Sequence, residues 1–211
     1  MEETKNTGTN ENLETVKSFF LNDLWQMLKL FLKEPVNGTF TLFEKDKEKK
    51  FFQSLILMGV TVLLYFFLPF ILAGSRTGFG EMLEMGLIPL IFMLLVTLIT
   101  FGLKFISEKP DIKTELFTGA LQAFPLIFFF ILLVILRIFG DNAIYSMMRG
   151  SFMGGGIVIS IVMIYFVLMM INIVMQSLKV SKAKDALAWY ISPAVIVLSF
   201  YLTYKIAYAI F

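Results

Sequence analysis

The chain has 211 residues, of which 58% are hydrophobic and only 16% are charged. A soluble domain usually carries roughly 25% charged residues, so this composition excludes an ordinary soluble fold. There is no histidine and no cysteine, and the net charge is +2. A disulfide framework, a thiolate nucleophile and a zinc–thiolate site are therefore excluded, and the commonest general base and metal ligand are missing. Nothing in the charge points to a nucleic-acid partner.

The first fifty residues are predicted to form a segment with one amphipathic helix over about 13–33. Apolar side chains recur there at helical spacing. They are Val16, Phe20, Leu24, Met27 and Phe31. Pro35 is expected to stop the helix. Such a helix can lie in the lipid headgroup layer, bind a partner protein or pack against the protein's own bundle, and the sequence leaves these alternatives open.

Five later stretches are long and apolar enough to cross a bilayer core of roughly 30 Å, which takes about 20 helical residues. They are residues 51–72, 85–106, 116–139, 156–178 and 187–211. The stretches are apolar all round and lack the alternation of barrel strands. The predicted fold class is therefore all-α, an integral membrane bundle of five transmembrane helices preceded by the amphipathic helix. Asp111 is expected to cap the helix of the third span.

Charged residues are rare in these predicted spans. The spans contain no Asp or Glu, and their basic residues are Lys104, Arg137 and Lys205. Each of the three lies near a helix end and is expected to extend to the interface. Coupled carriers commonly place carboxylates at membrane depth, so transport lacks support from charged residues. A small transporter or channel is kept as the alternative function, with the four span prolines as hinges and Asn172 as its site. We predict no catalytic, metal-binding or cofactor-binding residue.

The orientation follows from the basic residues. Fourteen of the eighteen lysine and arginine residues share a side with the amino terminus in a five-span arrangement. Basic segments between spans are retained in the cytosol, so the amino terminus is predicted to be cytosolic and Phe211 to lie on the opposite side. The lipid bilayer is the expected surrounding. It would be the cytoplasmic membrane of a bacterium, or the Golgi or endoplasmic reticulum of a eukaryote.

Six residues within the spans are predicted to shape the bundle. Asn172 and Gln176 lie one turn apart in the fourth span and are expected to make polar contacts between helices, with substrate contact as the alternative. Proline removes a backbone hydrogen bond and kinks a helix, for packing or for a moving gate. The prolines are Pro69, Pro89, Pro125 and Pro193. A homo- or hetero-oligomer stays open.

The layout of an amino-terminal region followed by five closely spaced spans resembles the Yip family, named for proteins that interact with Ypt/Rab GTPases and also found in bacteria. Two stretches carry the likeness. Residues 118–125 (TGALQAFP) look like the family's segment that leads into a proline. Residues 178–187 (LKVSKAKDAL) are similar to its short basic turn followed by an alanine-containing helix. The likeness covers about residues 20–211.

Eukaryotic members carry an Asp-Leu-x-Gly-Pro signature before the first span, whereas Asp23, Leu24 and Trp25 are followed here by Gln26 and Met27. The resemblance is therefore to a bacterial or divergent member. It implies a non-enzymatic adaptor or scaffold in membrane organisation, trafficking or assembly of a membrane complex. A protein partner is expected at the amino-terminal region, and neither a cofactor nor a nucleic acid is expected.

Overall fold

The structure is a computed structural model that describes residues 23–34, 36–44, 47–74, 77–107, 110–138 and 155–211. The regular elements in these ranges are all α-helices. In chain order they are α1 (Leu24–Lys33), α2 (Asn37–Glu44), α3 (Lys47–Ala73), α4 (Phe79–Ser107), α5 (Ile112–Leu121), α6 (Ala123–Ile138), α7 (Gly155–Val180) and α8 (Asp185–Ile210). They fall into two compact units, one with α1 and α2 and the other with α3 to α8.

The first unit is a pair of short helices. α1 ends at Lys33 because Glu34 leaves the helical conformation, with φ −137° and ψ 73°, as favoured for a residue before a proline. α2 packs closely on α1, since a Cβ added at Gly38 would collide with the backbone of Leu30. The amphipathic helix predicted over about 13–33 is thus described from Leu24 onward, and its earlier part lies outside the described residues.

Within the described residues, the second unit contains five stretches long and apolar enough to cross a membrane, which confirms the predicted helical bundle. They are Lys50–Ala73, Phe79–Phe105, Ile112–Ile138, Ile159–Val180 and Asp185–Ile210. Four of them begin earlier than the sequence suggested, including the fifth, which starts at the acidic Asp185. The second starts at Phe79 and includes Glu81 and Glu84, and the third starts at Ile112 and includes Glu115. The prediction that the spans contain no Asp or Glu is therefore wrong for the helices that form.

The third span consists of two helices joined at Gln122. As predicted, Asp111 caps the first of them, because its carboxylate accepts from the Lys113 N–H at 3.2 Å. At the junction the Gln122 N–H bonds to the carbonyl of Gly119 at 3.1 Å, a tighter turn than an α-helix makes. The cause is Pro125, which lacks the N–H that would bond four residues back and whose ring crowds that carbonyl.

α5 occupies the centre of the bundle, where it packs on α3, α4 and α7. All residues from 117 to 126 are buried. A Cβ at Gly119 would collide with the Thr97 hydroxyl and the Met93 carbonyl of α4, so the two helices approach very closely here. The first residues of α3, the turn between α4 and α5 and the end of α7 lie at one end of the bundle. We call this the proximal end.

Candidate functional site: a buried polar cluster and a central cavity

Four polar side chains meet between three helices at the proximal end. Lys104 Nζ of α4 lies 2.7 Å from Glu115 Oε1 of α5, and the exposed fractions of the two side chains are 2% and 1%. The same Nζ donates to Ser177 Oγ of α7 at 2.8 Å. Ser177 Oγ in turn lies 2.7 Å from Thr118 Oγ1. We call Lys104, Glu115, Thr118 and Ser177 the polar cluster.

The hydrogen bonds of the polar cluster run in one direction. Lysine only donates, and a hydroxyl has a single hydrogen to give. The Thr118 hydroxyl donates to the Thr114 carbonyl at 3.0 Å, so the Ser177 hydroxyl is left to donate to Thr118. The resulting chain passes from the Lys104 ammonium through two hydroxyls to the α5 backbone. It ties α4 and α7 to the central helix.

Helix geometry brings the ion pair together. Lys104 lies in the last turn of α4 and Glu115 in the first turn of α5. Residues equally far from the turn of an antiparallel helical hairpin lie at the same depth, and positions 104 and 115 are symmetric about the turn that joins Ser107 to Ile112. A cation near a helix C-terminus and an anion near an N-terminus are also favoured by the helix dipoles. The pair therefore suits both helix ends.

Two buried oxygen atoms next to these contacts are unsatisfied. Gln122, which follows α5 directly, lies in line with Glu115 and Thr118 of that helix, and its Nε2 donates to the Met170 carbonyl of α7 at 3.3 Å. Within the described ranges, neither Glu115 Oε2 nor Gln122 Oε1 accepts a well-aligned hydrogen bond. A buried acceptor left in this state costs about 1–3 kcal/mol. Both atoms are available to a donor.

A second lysine is buried at the proximal end of α3. Lys50 is almost completely covered, and its Nζ lies 5.9 Å from the centre of the Phe117 ring on α5. An ammonium over an aromatic face is attracted by the ring quadrupole. α5 thus meets a lysine on each of two neighbouring helices.

A cavity of about 260 Å³ lies further along the bundle. Its walls come from all five spans, and they include Tyr65, Pro89, Phe92, Phe129, Met170 and Phe200. Tyr65 closes one side, because its hydroxyl donates to the Leu126 carbonyl at 2.8 Å. A smaller cavity of about 190 Å³ borders Lys104, between α4, α7 and α8.

Asn172 and Gln176 behave differently from each other. Gln176 Nε2 donates to Asn172 Oδ1 at 3.1 Å along α7. Gln176 is buried, whereas Asn172 is half-buried. The α7 side chain that joins the polar cluster is Ser177, the next residue, which was not singled out from the sequence. That Asn172 contacts another helix stays a prediction.

The four prolines lie at different kinds of position. Pro69, Pro89 and Pro193 lie within continuous helices, whereas Pro125 follows the junction at Gln122. Pro89 also lines the large cavity. Because proline frees the carbonyl four residues earlier, a bend at each position stays expected.

The predicted binding face of the amino-terminal helix is only partly available. Val16 and Phe20 lie outside the described residues, and Leu24 is half-buried. Met27 and Phe31 are buried in the conformation described, and contact of this helix with lipid or a partner protein stays a prediction. Their burial leaves another face of α1 uncovered.

That uncovered face of α1 has an apolar and basic character. The exposed fractions are 64% for Trp25 and 55% for Leu32. These residues are two turns apart, and the exposed Lys29 lies between them on the same side of the helix. We call Trp25, Lys29 and Leu32 the exposed face of α1.

The three basic residues of the predicted spans differ in how far they are exposed. Lys205 is exposed, with its Nζ 5.9 Å from the centre of the Tyr201 ring, and Arg137 is half-buried. Lys104 does not extend to the interface, so that prediction is wrong. The burial of Lys104 could have been predicted from Glu115, an acidic residue at the same depth on the other side of the turn. Glu115 had been placed just outside the third span.

No protein-family model matches the chain, and no similar protein is found among curated proteins or among solved structures.

Proposed function

We propose that this chain is a non-enzymatic integral membrane adaptor or scaffold of Yip type, which acts in membrane organisation, trafficking or assembly of a membrane complex. The observation that carries the proposal is the exposed face of α1. This face presents an uncovered tryptophan and leucine with a lysine between them, on a helix whose Met27 and Phe31 are already covered.

A protein partner fits this face well. Tryptophan is enriched among the residues that dominate protein–protein binding energy, and it acts best when neighbouring contacts exclude water from it. Trp25 and Leu32 offer two apolar anchors one above the other, and Lys29 offers a charge that sets the partner's orientation. We infer that the partner presents an apolar groove bordered by acidic side chains. Under the predicted topology this partner is cytosolic.

Crosslinking and affinity purification from native membranes test the adaptor. Four forms are compared, namely the full chain, a chain lacking residues 1–34, the double variant Trp25→Ala/Leu32→Ala, and Gln26→Ala as the matched control at an exposed polar position of the same helix. We expect one protein to be recovered with the full chain and with Gln26→Ala, and to be lost from the other two. Recovery of the same proteins with all four forms would contradict the proposal.

A small carrier or channel is the second candidate, and one observation favours it. Glu115 places a buried carboxylate inside the third candidate span, where ionisable groups are costly and commonly functional. One of its oxygens accepts no well-aligned hydrogen bond within the described ranges, and a cavity borders the paired Lys104. A substrate or proton could use this acceptor without breaking the ion pair.

Purified protein in liposomes separates the two candidates. A carrier should move a solute, and Glu115→Gln or Asn172→Ala should abolish that movement while Trp25→Ala/Leu32→Ala leaves it unchanged. An adaptor should move no solute and lose its partner only when α1 is altered. Solute movement that depends on Glu115, together with no recovered partner, would replace the adaptor proposal with the carrier.

A further inference from the structure

The large cavity lies among the candidate membrane spans. Its lining residues belong to all five spans and lie four or more residues from the span ends. Met163, Val167 and Met170 line it from successive turns of α7. The cavity is partly open, and side chains on the outside of the bundle at this level, such as Leu168, are apolar and exposed. A bilayer would surround this level with lipid chains.

The walls offer nothing to a polar ligand. Two lining residues carry hydroxyls, and both hydroxyls are turned to backbone carbonyls, Tyr65 to Leu126 at 2.8 Å and Thr203 to Ser199 at 2.7 Å. The other lining side chains are aliphatic, aromatic or methionine. A charged or strongly polar solute would lose its hydration here without a replacement hydrogen bond. The apolar lining of the cavity therefore favours a hydrocarbon ligand.

The size of the cavity also suits a hydrocarbon chain. An apolar cavity of about 150 Å³ stays dry and accepts a molecule the size of benzene, and this cavity measures about 260 Å³. A void left empty deprives its lining of dispersion contacts. The flexible thioethers of Met163 and Met170 can follow the shape of a chain that changes conformation.

We propose that the cavity binds one acyl chain of a membrane lipid, inserted among the five spans as part of the working bundle. We choose a phospholipid chain over a free hydrophobic solute because the cavity is partly open at a depth where the bilayer supplies chains at high concentration. This proposal does not depend on the adaptor function. A bound acyl chain would fill the centre of the helical bundle whether the protein is an adaptor or a carrier.

Photocrosslinking in vesicles tests the proposal. The full chain is reconstituted into phosphatidylcholine vesicles that contain a phosphatidylcholine with a diazirine in mid-chain, irradiated, and mapped by mass spectrometry. Met170 is only 4% exposed, whereas Leu168 on the outside of α7 is 56% exposed. An acyl chain that stays on the outer surface labels exposed residues such as Leu168 but not Met170, so the proposal predicts label on Met170 as well.

A matched pair of variants then tests whether the cavity holds the chain. Val167→Phe narrows the cavity, and Leu168→Phe adds the same group to the outer surface. We expect Met170 labelling to fall several-fold in Val167→Phe and to stay unchanged in Leu168→Phe. If Val167→Phe does not fold, the wild-type map alone decides. Absence of label at Met170 beside strong label at Leu168 would overturn the proposal, and so would labelling of Met170 by a diazirine fatty acid but not by the phospholipid.

Discussion

Replacing one partner of the buried Lys104–Glu115 pair should destabilise the protein far more than replacing both. Glu115→Leu leaves the Lys104 ammonium buried without its carboxylate, and Lys104→Met leaves the Glu115 carboxylate buried without its cation. Removing one partner of a buried ion pair costs about 3–5 kcal/mol, whereas exchanging both for apolar residues of similar volume is often neutral or stabilising by about 1–4 kcal/mol. The double variant Lys104→Met/Glu115→Leu should therefore be close to wild type.

These free energies correspond to easily measured shifts. A change of 1 kcal/mol moves the melting temperature of a chain of 150–250 residues by about 2–4 °C, so each single variant should melt about 6–20 °C lower. We expect the double variant to melt within a few degrees of wild type or above it. The assay is thermal unfolding in a mild detergent, followed by the loss of the monodisperse peak in size-exclusion chromatography.

An exposed ion pair provides the control. Lys179 and Asp185 lie 3.2 Å apart, but Asp185 is largely exposed, and exposed pairs contribute about 0–1 kcal/mol. Asp185→Asn should therefore shift the melting temperature by at most a few degrees. If the effects of Glu115→Leu and Lys104→Met simply add in the double variant, the two charges are not coupled and the reasoning fails.

Three further predictions concern packing, a polar contact and topology. Gly119→Ala should destabilise the bundle by about 1–3 kcal/mol because the added methyl collides with a hydroxyl and a carbonyl of α4, while Gly102→Ala, which meets nothing within 4 Å, should be neutral or slightly stabilising; equal melting temperatures would contradict the close approach. Asn172→Leu removes the acceptor of the Gln176 amide and should cost about 0.6–2 kcal/mol; unchanged stability and oligomer size in detergent would argue against a structural contact. A phosphatase fused after Phe211 should be active and a fluorescent reporter there dark, and the opposite pattern at both chain ends would reverse the topology.

The helical bundle could be predicted from the sequence because its signal is local. Runs of about 20 apolar residues identify spans without any knowledge of their neighbours. The helix cap at Asp111 and the disturbance before Pro125 were also accessible, since each depends on a few adjacent residues. What covers Met27 and Phe31 could not be predicted, because an amphipathic pattern marks a face that will be covered without stating what covers it.

The start of the third span was misplaced for a related reason. An acidic residue normally marks the end of a membrane segment, because a lone carboxylate in hydrocarbon is costly. Glu115 is not alone, since its charge is matched by Lys104 at the same depth on the preceding helix. Hydropathy treats each residue separately and therefore counts both charges as costs. A comparison of positions symmetric about each short turn would have paired them.

The central helix connects the two features of the bundle. One face of α5 carries Glu115 and Thr118, with Gln122 in line directly after the helix, and the Gln122 amide donates to the carbonyl of Met170, which also lines the cavity. The helix junction that follows Gln122 leads directly to Leu126 at the cavity wall. Packed helices shift as units rather than deforming smoothly. A lipid acyl chain that enters or leaves the cavity would therefore act on α5, which also holds Glu115 of the ion pair. The polar cluster and the cavity are therefore connected through α5 and the junction that follows it. The change in melting temperature caused by a bound lipid should then depend on whether the Lys104–Glu115 pair is intact.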